Sequence, residues 1–245
     1  MRILFVVASL LCAGLPVMAT APPPPPLSDA AKARLAPLFD AYAALDKELA
    51  ALPPAKTDAE KILRLKRRDD LGRVVYRQID FVSLPLAEGR PAVMAAELEI
   101  ERQDVINQTE LKKIIPARGW FLTSEIDADA AVAAAQIVQH ATNADMPFVR
   151  QVLASMKALL PTGDVEKFDF AMLTDRVAVV DGVRQTYGTQ FICNDFKWML
   201  YPVEDEAGVE ARRKDMGIGI TLADQKTQFA TRSCPIAQYA GPIPK

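Results

Sequence analysis

Met172–Asp205, MLTDRVAVVDGVRQTYGTQFICNDFKWMLYPVED, is the one long run of this sequence that reads as β structure. Valines cluster on both sides of Asp181-Gly182, and Asp-Gly flanked by valines is a strong signal for a type I′ hairpin. With a two-residue loop, Val180 faces Val183, Ala178 faces Gln185, Arg176 faces Tyr187 and Thr174 faces Thr189. Side chains alternate along a strand, so Arg176, Gln185 and Tyr187 are expected on one face and Asp175 and Gln190 on the other. Asn194-Asp195 reads as a second turn that returns Trp198 and Leu200 beside Phe191 and Thr189. A guanidinium next to a tyrosine and a glutamine suits a carboxylate or phosphate, which it can hold by two hydrogen bonds. The same residues also suit a buried network that satisfies itself, because buried polar groups need partners whether or not a ligand exists.

Around this stretch the chain reads as helices. Ser28 caps a first helix with Leu35, Leu38, Phe39, Tyr42, Leu45 and Leu49 on one face, and Pro37 either kinks it or starts it. Thr57-x-x-Glu60 is a capping box for a second helix. In that helix the basic residues mixed with Asp69, Asp70 and Asp80 read as a solvated face. A third helix is expected over Ala92–Asn107, and a short one near Glu110–Ile115. An alanine-rich helix capped by Asp127 or Asp129 runs to His140. Asp145 caps another helix, Asp164 a short one leading into Leu173, and Asp205 a last one ending at Gly217. The expected fold class is α+β: a mostly helical single domain over 28–222, packed around a small antiparallel β-meander at about Leu173–Val203. Residues 223–245 are expected to be a C-terminal tail.

Met1-Arg2, the apolar run Ile3–Leu15 and the Val17-Met18-Ala19 site have the form of a signal peptide over 1–19. The expected location is therefore the periplasm or the extracellular space after cleavage near Ala19. The five prolines Pro22–Pro26 read as a linker over 20–27. Cleavage removes Cys12 and leaves Cys193 and Cys234, an even count that suggests one disulfide in an exported chain. The alternative is two separate buried thiols.

The net charge of -2 lacks the basic excess of a nucleic-acid binder, so no nucleic-acid partner is expected. No transmembrane span is expected in the mature chain. The single histidine, His140, rules out a multi-histidine metal site, and no metal or cofactor is expected. There is no Gly-x-Ser-x-Gly elbow, no phosphate loop and no Cys-x-x-Cys.

Several ordered pieces of the sequence are similar to a bacterial domain-of-unknown-function family (six-six-two-four). They are Asp70 with Arg73; Asp104-x-x-Asn107 with Leu111, Ile114-Ile115 and Gly119-Trp120; and Gln139-His140. The most specific is Asp175-Arg176 with Gln185-x-Tyr187-Gly188-Thr189-Gln190, and Pro202, Asp205, Val209, Arg213 and Gly217 close the pattern. The likeness spans Thr57–Leu222. Where the family often has Asp after the histidine, Ala141 and Thr142 stand here. The resemblance implies no activity, but it makes Asp70, His140, Asp175, Arg176, Gln185, Tyr187 and Gln190 one constellation. Two functions fit it. One is a binding or interaction module for a small anionic ligand or an envelope peptide. The other is a metal-independent hydrolase or transferase with His140 as general base, oriented by Asp70, Asp104 or Asp175.

Overall fold

The computed structural model describes residues 26–194, 196–232 and 234. The expected signal peptide, most of the proline linker and the final residues lie outside these. The described chain forms eight α-helices and one two-stranded sheet. Helix α1 (Asp29–Ala51) starts where Ser28 Oγ accepts the Ala31 N–H at 3.1 Å. Pro37 neither breaks nor begins it. Helix α2 (Asp58–Tyr76) starts at Thr57, whose hydroxyl accepts the Glu60 N–H at 3.1 Å. Helix α3 (Leu86–Lys112) is one continuous element where two were expected. Then come α4 (Ala128–Gln139), capped by Asp127, and α5 (Met146–Leu159), with Pro147 in its first turn.

The largest departure from expectation is α6 (Lys167–Val180). The first half of the presumed hairpin is a helix, so Val180 does not pair with Val183 and the proposed register is wrong. Phe170, Leu173 and Val177 follow helical spacing and pack against the core formed with α4 and α5. That packing outweighs the weak local preference of Val177-Ala178-Val179-Val180 for a strand. Asp181-Gly182 is the helix stop. Gly182 has φ +71, its N–H reaches the Val179 carbonyl at 3.1 Å, and the Val183 N–H reaches Ala178 at 2.9 Å. This pair of bonds is a Schellman cap. A type I′ turn and a Schellman cap both need a left-handed residue, so glycine fits either.

The sheet is confined to β1 (Phe191–Asn194) and β2 (Lys197–Leu200), joined at the expected second turn. Phe191 pairs with Leu200 and Cys193 with Trp198, two residues along from the expected register. A two-residue shift leaves every side chain on its expected face. Helices α7 (Val209–Asp215) and α8 (Leu222–Ala230) follow. Residues from 223 onward thus begin as a helix rather than a tail. Thr221 caps α8, and Phe229 stacks on Phe191 at 3.9 Å and meets the edge of Trp198 at 5.4 Å. Cys193 and Cys234 form a disulfide, with Cα atoms 5.5 Å apart.

Two apolar clusters hold the helices together. One gathers α4, α5 and α6 with Ile62, Leu111, Trp120 and Phe121. The other lies between α1, α2 and α3, around Leu35, Leu38, Tyr42, Phe81 and Val93. Helices α2 and α3 take part in both. Where they pass from one cluster to the other, their buried residues are polar: Asp69 on α2, and Gln103, Asp104 and Asn107 on α3. The candidate site lies along this polar seam.

Candidate functional site

Asp69 is the centre of the seam and only 1% exposed. It lies seven residues after Ile62 and three before Gly72, on the buried stripe of α2. The expected solvated face of this helix is therefore interrupted at Asp69. Its carboxylate has three side-chain partners. His140 Nδ1 lies 2.8 and 3.0 Å from its two oxygens, Arg73 donates at 3.1 Å and Gln136 at 3.0 Å. Arg73 also holds Asp104 with both ends of its fork, at 3.1 and 2.9 Å. Burial disfavours the Arg73 cation, but Asp104 and Asp69 together outweigh it and its pKa is raised. Burial pushes the Asp104 carboxyl up, against the pull of Arg73.

His140 ends α4, delivered there by the alanine-rich run whose small side chains let α4 lie close to α2 and α3. Its side chain is 27% exposed, while its carboxylate partner is sealed. A carboxylate accepts, so Nδ1 of the neutral ring carries the proton and Nε2 is left as the basic nitrogen. Among the described residues no hydrogen bond uses Nε2. The partner is Asp69, not Asp70, Asp104 or Asp175. One residue along a helix is a rotation of about 100°, and it places Asp70 beside the seam rather than in it. Asp70 pairs with Lys66 at 2.5 Å and accepts from Gln136 at 3.0 Å.

The residues expected to form one constellation divide between two places. Arg176 reaches the seam from α6 and donates to the carbonyl of Ala141, next to His140. Burial pulls its pKa down, and it lies within electrostatic reach of Asp104 and Arg73. Gln190 touches the seam's edge, accepting from Gln139 at 3.3 Å. Asp175, Gln185 and Tyr187 are elsewhere, inside the loop that follows α6. Asp175 takes the N–H groups of Thr186, Tyr187 and Thr189 and the Thr189 hydroxyl, at 2.7 to 3.2 Å. Burial raises its pKa, and those backbone bonds oppose the rise. Gln185 is fully buried and ties its loop to the carbonyls of Tyr201 and Gln190 at 2.7 and 3.2 Å. Arg213 is 1% exposed and holds the carbonyls of Tyr187 and Ile220 at 2.8 and 2.7 Å. All three groups bind main chain and build the loop. The expected cluster of Arg176, Gln185 and Tyr187 does not form, because Arg176 lies on a helix facing away from that loop.

Two surface clefts lie apart from the histidine. One, of about 450 Å³, lies among Thr57, Ile114, Phe121, Ile126 and Asp127. The other, of about 560 Å³, is a groove between α1 and α2 with Asp70 on its wall. Among the described residues no group of three or more His, Cys, Asp or Glu side chains is placed to hold a metal ion, and no helix is long and apolar enough to cross a membrane.

A family model described as a family of unknown function (DUF6624) matches residues 87–225. The chain belongs to this family. The matched stretch begins at the start of α3 and so contains Asp104, Asn107, His140, Arg176 and the Asp175 loop. Asp69, Asp70 and Arg73 lie before it, and the carboxylate that orients His140 is supplied by a helix outside the match. No curated protein and no solved structure matched the chain.

Sequence reasoning missed Asp69 and Arg213. For Asp69 a signal existed, its place on the buried stripe of α2. Arg213 belonged to the family pattern, but at a helix C-terminus a cation has an ordinary explanation, and its burial was not foreseen.

Proposed function

We propose that this is an exported protein that takes an anionic ligand at the seam and acts on it with His140 as the general base. The observation that carries the reading is the pairing of a sealed carboxylate with a half-exposed imidazole. Asp69 fixes the ring and its tautomer, and among the described residues nothing is hydrogen-bonded to Nε2. That is how a base is prepared for a proton outside the protein. Arg73 hydrogen-bonds both Asp69 and Asp104, so neither carboxylate is left bare in the interior. No serine, threonine or cysteine is hydrogen-bonded to His140 among the described residues. The group it activates in this reading is water or an acceptor hydroxyl, and the reaction is hydrolysis or transfer.

The binding-only reading needs the same anionic ligand at the seam without a proton transfer by His140. The single histidine permits a clean test. Long-range ¹H–¹⁵N NMR should show one imidazole in the Nδ1–H tautomer, and Asp69→Asn should abolish that preference. A turnover screen on p-nitrophenyl phosphate, p-nitrophenyl acetate and short peptides should find a substrate whose rate falls about 10²–10⁴-fold in His140→Asn. An Nε2–H tautomer, or full turnover in His140→Asn, would sink the acid–base reading. A ligand bound without turnover would select the binding reading.

A further inference from the structure

The interior between α2, α3, α4 and α6 holds more buried polar atoms than the protein bonds. Asn107 is 0% exposed, and neither its amide nitrogen nor its oxygen has a partner among the described residues. Arg176 Nε and Gln139 Oε1 are likewise buried and unbonded. Such groups are rare in folded proteins, because losing water without gaining a hydrogen bond costs stability. Several in one region therefore need a reason.

Arg176 is the most telling of them. Among the described residues, the only hydrogen bond of its guanidinium goes to the neutral carbonyl of Ala141. Among the described residues no carboxylate lies within ion-pair distance of it. Asp104 attracts it, Arg73 repels it, and Tyr201 adds a weaker attraction. Asp104 is already held by both ends of the Arg73 fork at 3.1 and 2.9 Å. A largely buried cation thus stands beside His140 with no carboxylate bonded to it among the described residues, a state that favours the arrival of an anion. Asn107 lies one helical turn from Asp104 on α3, and Asp104 is in electrostatic reach of both Arg176 and His140.

We infer that Arg176 and Asn107 form an oxyanion subsite that takes the terminal carboxylate or phosphate of a ligand beside His140. Arg176 donates Nε–H together with the charge, and Asn107 donates Nδ2–H. This rests on the proposed reading of His140 and deepens it: the ligand class is an acid whose charged end enters the seam while its body stays outside. The seam offers a guanidinium fork and an amide, which fit the planar or tetrahedral oxygens of such a group. Without the anion, Asn107 is a stability defect kept for binding.

The test is titration of the purified protein with inorganic phosphate and, separately, with acetate, followed by the ring signals of His140. At least one anion should shift them saturably. A response to phosphate alone assigns a phosphorylated ligand, and a response to acetate assigns a carboxylate. Arg176→Gln should weaken that anion about tenfold or more. Arg176→Lys, which keeps the charge and loses the fork, should also weaken it and guards against a folding failure in the first variant. Asn107→Leu should weaken binding while raising Tm by several degrees, since it removes an unbonded buried amide. The subsite is overturned if neither anion shifts the ring, if both Arg176 variants bind like the parent, or if Asn107→Leu binds normally with a lower Tm. Spectra without anion separate the two claims. A correct tautomer without anion binding removes the subsite alone, and anion binding beside the opposite tautomer removes the acid–base reading alone.

Discussion

Asp69 and Asp175 are both sealed from solvent, at 1% and 0% exposure, and both collect several hydrogen bonds. What separates them is the chemistry of their partners. Asp175 is surrounded by backbone N–H groups from a single loop, Thr186 to Thr189. Asp69 is surrounded by side chains from three positions on two helices: Arg73, Gln136 and His140. Backbone amides cannot change protonation or swing away, so a carboxylate bound to them is architectural. Side chains can do both, and the imidazole on Asp69 is partly open to solvent. Burial alone therefore does not tell a working carboxylate from a structural one, whereas the identity of the donors does.

Three substitutions break or sharpen that contrast. The largest effect is expected at Asp175. Asp175→Asn turns an amide NH₂ toward donors that need an acceptor, and should cost about 3–5 kcal/mol. For a domain of this size that is a fall in Tm of about 10 °C, read by calorimetry. Any molecules still folded should keep the Nδ1–H tautomer of His140. Asp69→Asn should cost less, about 1–2 kcal/mol, because the amide oxygen can keep the Arg73 bond and the new NH₂ can donate to an imidazole that changes tautomer. It should nevertheless remove the fixed tautomer and with it any acid–base activity. If Asp69→Asn destabilised more than Asp175→Asn and left the tautomer alone, the contrast would be inverted.

A third carboxylate gives the smallest effect and calibrates the other two. Asp169, in the first turn of α6, is half-buried beside Glu166 and makes no hydrogen bond among the described residues. Burial first, and Glu166 second, push its pKa up to about 7 from 3.8. A folded-state pKa above the unfolded one means the protonated form is favoured on folding. The stabilisation is full below about pH 4 and is lost as pH rises through about 7. Asp169→Asn should therefore change stability little at pH 4.5 and raise it by about 1–2 kcal/mol at pH 8, the gain being held down by the favourable position of an anion at a helix N-terminus. Urea unfolding at the two pH values measures the difference, and equal shifts at both would remove Asp169 from the comparison.

Much of the architecture was legible in the sequence because its signals are local. Ser28, Thr57 and Asp127 cap the helices they precede, Gly217 stops α7, and Cys193 meets Cys234. The failures share one cause: a local signal with two meanings that only distant packing resolves. Asp181-Gly182 serves a hairpin and a helix stop equally well, and the choice fell to Phe170, Leu173 and Val177 meeting α4 and α5. Asp69 and Asp70 are equivalent in composition, and the choice fell to which of them faced α4 across the seam. The site was therefore half legible. His140 and Arg176 stood out by residue type, whereas the carboxylate that orients the histidine could be found only from the rotation of a helix.

The polar seam also divides the molecule mechanically. Helices α2 and α3 run through both apolar clusters like two rods through a pair of blocks, and the charged layer is the joint between the blocks. Hydrophobic contacts tolerate small sliding, but the Arg73 fork and the Asp69 pairings fix the angular setting of one rod against the other. Tyr42 of α1 lies against Gly72 at the same level, so the N-terminal block is geared to the setting of the histidine. The Tyr42 side chain thus meets the helix that carries Asp69 at its one glycine.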